Sequence, residues 1–325
     1  MQAIQVKEAG ASDQLHLTEV DRPSIGDHDL LVRVKATGVN RLDTVHRQLG
    51  TGNFPALGVE TAGVVAEAGV KSKFKPGSRV FGLTTTGSYS DYAIIPDDWA
   101  MEIPEDWTFI EAAAIPEVFL TAFQTLFTIG KLSTDECVLI HAGASGVGTA
   151  AIQLAKQVAD AQVIVTAGSQ EKLDFCRELG ADYVINYKEA DFAEEIEKIT
   201  EGKGVNLVLD FIGASYWQKN IDSLGVDGRL VLIGTLGGVK VDQVNLRDIM
   251  GKRLQITGTL LSPRSYQYKA NLVADFQARV GQLLAQKEIK PIIDKVFPLK
   301  DAKEAHDYME ASKNIGKLIL TVDAN

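Results

Sequence analysis

The run AGASGVG, residues 142–148, stands between the apolar CVLIH and the helical pattern TAAIQLAKQV, and its Gly143, Ser145 and Gly148 fill the three positions of a G-x-G-x-x-G spacing. A small residue suits each position: the first turns tightly, the second lets backbone approach a pyrophosphate, and the third brings helix close to strand. Serine replaces the middle glycine here. The helix that follows offers unpaired N–H groups to an anion. A glycine-rich turn says little by itself, but one that follows a strand, opens a helix and begins a strand–helix array has the context of a dinucleotide site. Ser145, Gly146, Val147 and Gly148 are therefore candidate cofactor contacts; the plain alternative is a structural turn.

The next strand end selects the nicotinamide cofactor. An enzyme that prefers NAD places Asp or Glu on the ribose 2′-hydroxyl about 20 residues after the loop. At that place this chain has Thr166-Ala167-Gly168-Ser169-Gln170-Glu171-Lys172, with no carboxylate at the strand end. Gly168 and Ser169 open a helix, so their N–H groups and the serine hydroxyl can meet a phosphate, and Lys172 lies within one turn as a counter-charge. The pattern points to NADPH. The competing reading makes Ser169 a helix cap and Lys172 a solvated lysine. Glu171 is placed by helical geometry to face solvent.

These residues need a sheet behind them. From about residue 119, apolar strands alternate with helical stripes, as βαβ units require. The strands are read at Cys137 to His141, Gln162 to Thr166, Tyr183 to Asn186, Asn206 to Phe211, Arg229 to Gly234 and Leu254 to Thr259. Their continuous apolar character, as in VNLVLDFIG, fits a doubly wound parallel sheet covered on both faces. Before it, short runs such as Leu30 to Val34, Gly63 to Ala66 and Arg79 to Gly82 are separated by Gly and Pro and predict a β-rich domain. After Ser262 a long helix through Asn271 to Gln286 and a last strand, Lys317 to Val322, are assigned back to that first domain. The fold class is α/β, with domains at 1–118 plus 263–325 and at 119–262; 325 residues suffice for two cores.

Composition narrows the partners. The chain is 45% hydrophobic and 23% charged, and no apolar run reaches the length of a bilayer span. A formal charge of −10 without a Lys/Arg cluster repels phosphate backbones and acidic membrane surfaces, so neither nucleic acid nor membrane is expected as a partner. The start, MQAIQVKEAG, lacks a secretory pattern, so cytoplasmic residence is expected. Cys137 and Cys176, the two cysteines, fall in an apolar strand and a helical stripe and read as buried, inert thiols.

With GVNRLDT, LGVETAGVV, GSYSDYAIIP, HAGASGVGTAAIQLAK, TAGSQEKL, DFIGASYW and EAHDYMEASKNIGKLIL in this order, the chain resembles, nearly end to end, the zinc-free medium-chain quinone oxidoreductases. The resemblance implies a GroES-like catalytic domain, a Rossmann domain, and a homodimer that pairs the sixth Rossmann strands, residues 254 to 259. An apolar edge strand there would otherwise invite aggregation. Alcohol dehydrogenases of the superfamily hold zinc through a Cys and a His where this chain has Asn40 and Val59, and neither can be a thiolate or imidazole ligand. No metal is expected. His46 and Glu60 do not make a site; Glu60 reads as a structural hydrogen-bonding residue and His46 as a surface helix residue.

Loss of the Lewis acid restricts the acceptor to one that takes hydride readily, a quinone or conjugated enone, and leaves the protein to bind, orient and desolvate. The resemblance places Asn40 and Asp43 as catalytic residues, Thr44 beside them, and Thr121 near the nicotinamide ribose. Asn40 also reads plainly as a turn-stabilising amide after KATGV. The resemblance further places Tyr187 at the adenosine phosphate, Ile233, Gly234 and Thr235 after the fifth strand, Leu260 and Leu261 after the sixth, and Asn314 as a last cofactor contact. The segment HRQLGTGNFP lacks the tyrosine that relatives carry, so Asp43 or solvent is left to supply a proton. Two other readings remain open: an enoyl or 2-alkenal reductase of lipid or polyketide metabolism, and a non-catalytic NADPH-binding, crystallin-like protein.

Overall fold

The computed structural model describes residues 1–53 and 55–322. In chain order the elements are β1 (Gln2–Val6), β2 (Leu15–Glu19), β3 (Asp29–Val39), α1 (Arg41–Leu49), β4 (Glu60–Ala68), β5 (Arg79–Leu83), β6 (Tyr92–Pro96), β7 (Ala100–Glu102), α2 (Phe109–Ala113) and α3 (Pro116–Phe123). There follow β8 (Cys137–Ile140), α4 (Gly146–Ala159), β9 (Gln162–Ala167), α5 (Gln170–Glu178), β10 (Tyr183–Asn186), α6 (Phe192–Ile199), β11 (Val205–Asp210), α7 (Trp217–Ser223), β12 (Leu224–Leu232), α8 (Leu246–Gly251) and β13 (Gln255–Gly258). The chain closes with α9 (Tyr266–Ala285), β14 (Ile293–Pro298), α10 (Ala302–Glu310) and β15 (Lys317–Thr321).

Contacts divide the chain into a unit of Met1–Leu120 with Ser265–Asn325 and a unit of Thr121–Arg264. Both cuts fall two residues beyond the expected 119 and 263, and residues 323–325 of the tail lie outside the described residues. In the first unit, one sheet runs β14-β15-β3-β4-β5-β7, with β6 also paired to β3. The C-terminal strand β15 lies antiparallel to β3, with Leu318 opposite Val39, so the last described strand is built into the sheet of the first domain. Apolar residues of β1, β3 and β15, among them Ile4, Val34, Val39, Leu318 and Leu320, bury against Ala302, Ala305 and Met309 of α10.

The second unit is a parallel sheet in the order β10-β9-β8-β11-β12-β13. Val138, Leu139, Ile140, Val163, Ile164, Val165, Leu207, Val208 and Leu209 are fully buried. That is the consequence of helices on both faces, and it is why these strands read as unbroken apolar runs. The chain turns from one half of the sheet to the other between β8 and β11, the place where a doubly wound sheet leaves a crevice at its carboxyl edge.

Three expectations need correction. β12 begins at Leu224, five residues before Arg229, because Leu224 already pairs with Val205 ahead of a register shift in which Asp227 takes a positive φ of 63°. The long helix starts at Tyr266 rather than Asn271: Ser265 caps it, its Oγ accepting from Tyr268 N at 3.3 Å. Finally, β13 is a short edge strand whose Gln255, Thr257 and Gly258 are exposed, and Ile256 is its one residue packed into the core. Its edge is polar where an apolar one was expected. No described helix is long and apolar enough to cross a membrane.

Candidate active site

The phosphate loop is shaped by close approach. A Cβ on Gly148 would lie 2.5 Å from the carbonyl oxygens of Ala142 and Gly143, and one on Gly143 would lie 2.8 Å from Val165 Cβ. These two glycines let α4 and β9 close onto β8. Ser145 is tolerated at the middle position because its side chain is used: it caps α4, Oγ accepting from Gly148 N at 3.1 Å. Gly148 is buried, whereas Ser145, Gly146 and Val147 keep exposed surface at a helix end whose first N–H groups have no intrahelical acceptors.

The corner after β9 and β10 carries the next group. Ser169 caps α5, its Oγ accepting from Lys172 N at 3.5 Å, so the plain reading of this serine holds, and it leaves the residue partly exposed. Lys172 follows on the first turn. A Cβ on Gly168 would lie 2.6 Å from Tyr187 Oη and 3.1 Å from Lys188 Cε, so the missing side chain lets the ends of β9 and β10 meet. Tyr187 is 43% exposed. Lys188 brings a second ammonium to this corner, and sequence reasoning missed it because its only signal is adjacency to Tyr187. Behind the corner, His141 is buried between β9 and α7, its Nε2 donating to Asn220 Oδ1 at 2.7 Å and its Nδ1 accepting from Thr166 Oγ1 at 2.9 Å. Burial pushes this histidine down to about 4, so it is a neutral tie beneath the loop.

Ile233, Gly234 and Thr235 directly follow β12; Ile233 N and Gly234 N both donate to Asp210 O, at 2.7 and 3.3 Å. The expected contacts Ser145 through Gly148, Gly168, Ser169, Lys172, Tyr187 and 233–235 thus line the carboxyl edge of one sheet. Past β13, Leu260 is 59% exposed but Leu261 only 4%, so the side chain of Leu261 belongs to the core and its main chain alone is left for a ligand. Thr121 is buried at the start of this unit, its carbonyl accepting from Thr125 Oγ1 at 2.8 Å.

In the other unit, Asn40 links β3 to α1 and sits in a buried polar cluster. Its Nδ2 donates to Glu60 Oε1 at 2.7 Å, its Oδ1 accepts from Lys317 Nζ at 2.7 Å, and its N–H donates to Asp43 Oδ2 at 2.8 Å. Lys317 Nζ also bonds Glu60 Oε1 at 2.7 Å and Val39 O at 3.1 Å. Glu60 Oε2 accepts from the main-chain N–H of Glu117 at 2.7 Å. Removing one partner from such a buried ion pair costs about 3–5 kcal/mol, because an uncompensated charge stays behind. The structural reading of Glu60 holds; Lys317, read only as the start of the last strand, and Glu117 were not legible as site residues because their partners lie 257 and 57 residues away in the chain.

Asp43 has no exposed surface, and it also accepts from Gly58 N at 3.1 Å and Tyr89 Oη at 3.2 Å. Burial, opposed by the Asn40 N–H, brings its carboxyl up to about 6. Tyr89 Oη meets His306 Nε2 at 3.2 Å, and His306 Nδ1 meets Arg47 Nη1 at 3.0 Å. A guanidinium only donates, so His306 Nδ1 accepts, Nε2 carries the proton toward Tyr89, and the tyrosine hydroxyl points at Asp43. Burial and Arg47 hold His306 down at about 3. The chain Arg47–His306–Tyr89–Asp43 therefore fixes the orientation of Asp43. Of the remaining expectations, Thr44 is buried and donates to Arg41 O at 2.8 Å, Asn314 donates to Gly316 O at 2.8 Å, and His46 is half-buried.

Residues 26–105 match the family model described as alcohol dehydrogenase GroES-like domain, and residues 146–278 that described as zinc-binding dehydrogenase. At the two positions where zinc ligands are looked for, the Val59 side chain has no donor atom and the Asn40 oxygen is taken by the Lys317 ammonium, so neither fits a zinc ion. The quinone oxidoreductase of Mus musculus is 34% identical over 98% of this chain and 97% of its own. A highly-reducing polyketide synthase of Aureobasidium melanogenum is 32% identical over 96% of this chain, which spans 14% of that protein. Among solved structures, the Escherichia coli quinone oxidoreductase complexed with NADPH superposes with a TM-score of 0.90 at 32% identity, over 99% of this chain and 100% of the other. With these similarities over nearly its whole length, the chain belongs to the quinone oxidoreductase family of medium-chain dehydrogenase/reductases.

Proposed function

We propose that this protein uses NADPH to reduce quinones or other conjugated carbonyls, without zinc. The observation that carries the reading is the corner after β9 and β10: Gly168, the Ser169 cap, Lys172, Tyr187 and Lys188 surround it, and no carboxylate ends β9. A 2′-phosphate is satisfied by that charge pattern, and a ribose hydroxyl is not. Ser145, Gly146, Val147 and Gly148 would hold the pyrophosphate, and Ile233, Gly234, Thr235, Leu260 and Thr121 the nicotinamide half; Thr44 and Asn314 are cofactor contacts on the resemblance alone. Bound there, NADPH supplies a hydride and its two electrons.

The chain's own part is binding and polarisation. Asn40 has one amide N–H on Glu60 and its oxygen on Lys317, so it is held rigidly with a second N–H left to polarise an acceptor oxygen. Asp43, expected as a catalytic group, is taken as a positioning residue, since its oxygens accept three donors and none of its surface is exposed. Without a Lewis acid, an acceptor whose conjugation stabilises the added charge is the one such a site serves. The mouse and Escherichia coli relatives, both quinone oxidoreductases, support the same class. The test is NADPH oxidation with 1,2-naphthoquinone and with a simple enone. Turnover is expected with NADPH well ahead of NADH, and no turnover with either acceptor contradicts the reading.

The match to a polyketide synthase favours a second reading, reduction of an enoyl thioester, in which the same hydride would go to the β-carbon. Preference for an enoyl thioester over the quinone in the same assay would establish it.

A further inference from the structure

Where β4, β15, α1 and α3 meet, three carboxyl groups surround one ammonium. Lys317 is spent on Val39 O, Asn40 and Glu60; Asp43 accepts three donors; Glu60 accepts from Asn40, Lys317 and the Glu117 main chain. Glu117 differs from the other two acids. Its N–H is anchored on Glu60 Oε2, but its carboxyl makes no hydrogen bond or ion pair among the described residues, and it keeps exposed surface where Asp43 and Glu60 have none.

A carboxyl in the first turn of a helix is ordinarily favoured as an anion by the helix dipole. Here burial outweighs that preference. The charged groups facing it are Glu60 from β4, Asp43 from α1, Lys317 from β15 and Lys269 from α9; the two acids raise its proton affinity, the two ammonium groups lower it, and the net result is about 8. Such a group carries its proton at neutral pH and exchanges it readily, as general acid catalysis requires.

We propose that Glu117 is the acid that protonates the acceptor. The proposal rests on the NADPH-dependent reduction argued above. The acceptor takes a hydride with two electrons from the dihydronicotinamide, while the O–H bond of Glu117 breaks and its proton joins the acceptor oxygen. The carboxylate left behind is reprotonated from water, so each turnover consumes one NADPH and one proton and yields NADP⁺ and the hydroquinone.

Glu117→Gln preserves volume and the main-chain bond to Glu60 but has no proton to give. Its kcat with 1,2-naphthoquinone should fall about 100-fold, a typical share for general acid catalysis, with the NADPH Kd unchanged. In the wild type, kcat should hold at neutral pH and fall above an alkaline limb at about 8, as the acid loses its proton. The limb should vanish in Glu117→Gln and return, displaced, in Glu117→Asp. A Glu117→Gln enzyme as fast as wild type, or a slow one that keeps the limb, overturns the proposal and leaves the reductase reading intact. A wild type inactive with every quinone and enone overturns that reading and this proposal with it.

Discussion

At the scale of single residues, what matters is which side chains are already engaged. Ser169 was ambiguous between cap and phosphate ligand; the cap is observed, and the hydroxyl can still accept a ligand's approach because the residue is partly exposed. The lysines decide selectivity. Each charge-assisted hydrogen bond to a phosphate is worth about 1.5–3 kcal/mol, or roughly 10- to 100-fold in affinity. Lys172→Ala and Lys188→Ala should each weaken NADPH by about tenfold or more and leave NADH nearly unchanged, as titrated by fluorescence; equal losses for both cofactors would sink the 2′-phosphate assignment. Asp43 shows the limit of residue type as a guide. An acid in a candidate site invites a proton-donor role, yet its oxygens are filled by Asn40, Gly58 and Tyr89.

At the scale of elements, the loop between β8 and α4 was legible because its constraints are local: a turn, a cap and a close helix all fall within seven residues. Gly148→Ala would push a methyl group to within 2.5 Å of two carbonyl oxygens. Unfolding in denaturant should show a loss of about 1–3 kcal/mol, together with weaker NADPH binding. Gly251→Ala, at a position with nothing within 4 Å of the added carbon, is the comparison and should stay within about 0.5 kcal/mol of wild type. If both behave alike, packing of α4 on β8 is not what the glycine provides. The two misread strands differ in cause. The early start of β12 depends on pairing with Val205 across a register shift, a partner that is not adjacent in sequence, whereas the polarity of β13 is written in its own Gln255 and Thr257.

At the scale of the whole molecule, the sheet of the second unit ends in β13, an edge strand with one side of its backbone unpaired among the described residues. Exposed edges are either blunted or covered, and a four-residue strand with exposed Gln255 and Thr257 is already blunted, so aggregation supplies no motive for covering it. Pairing of two chains through this strand is what the resemblance implies. Light scattering at micromolar concentration should return twice the chain mass, and a monomer under those conditions would contradict the assignment. The first unit depends on its tail in a different way: β15 supplies both a strand beside β3 and the ammonium of Lys317, so loss of the tail would strand Glu60 as a buried charge.

The sequence by itself determined the parallel sheet, the dinucleotide loop, the strand end without a carboxylate, and the absence of a thiolate or imidazole at positions 40 and 59. Each of these is a property of neighbouring residues, or of a side chain's fixed chemistry. Tertiary structure alone decided how strongly each acid is pushed toward its protonated form. Glu60 and Lys317 stand 257 residues apart in the chain, and the proton affinity of Glu117 comes from burial and from charges on four separate elements. A carboxyl's type is written at its own position, but its working state belongs to the field around it, and that field exists only once the chain has folded.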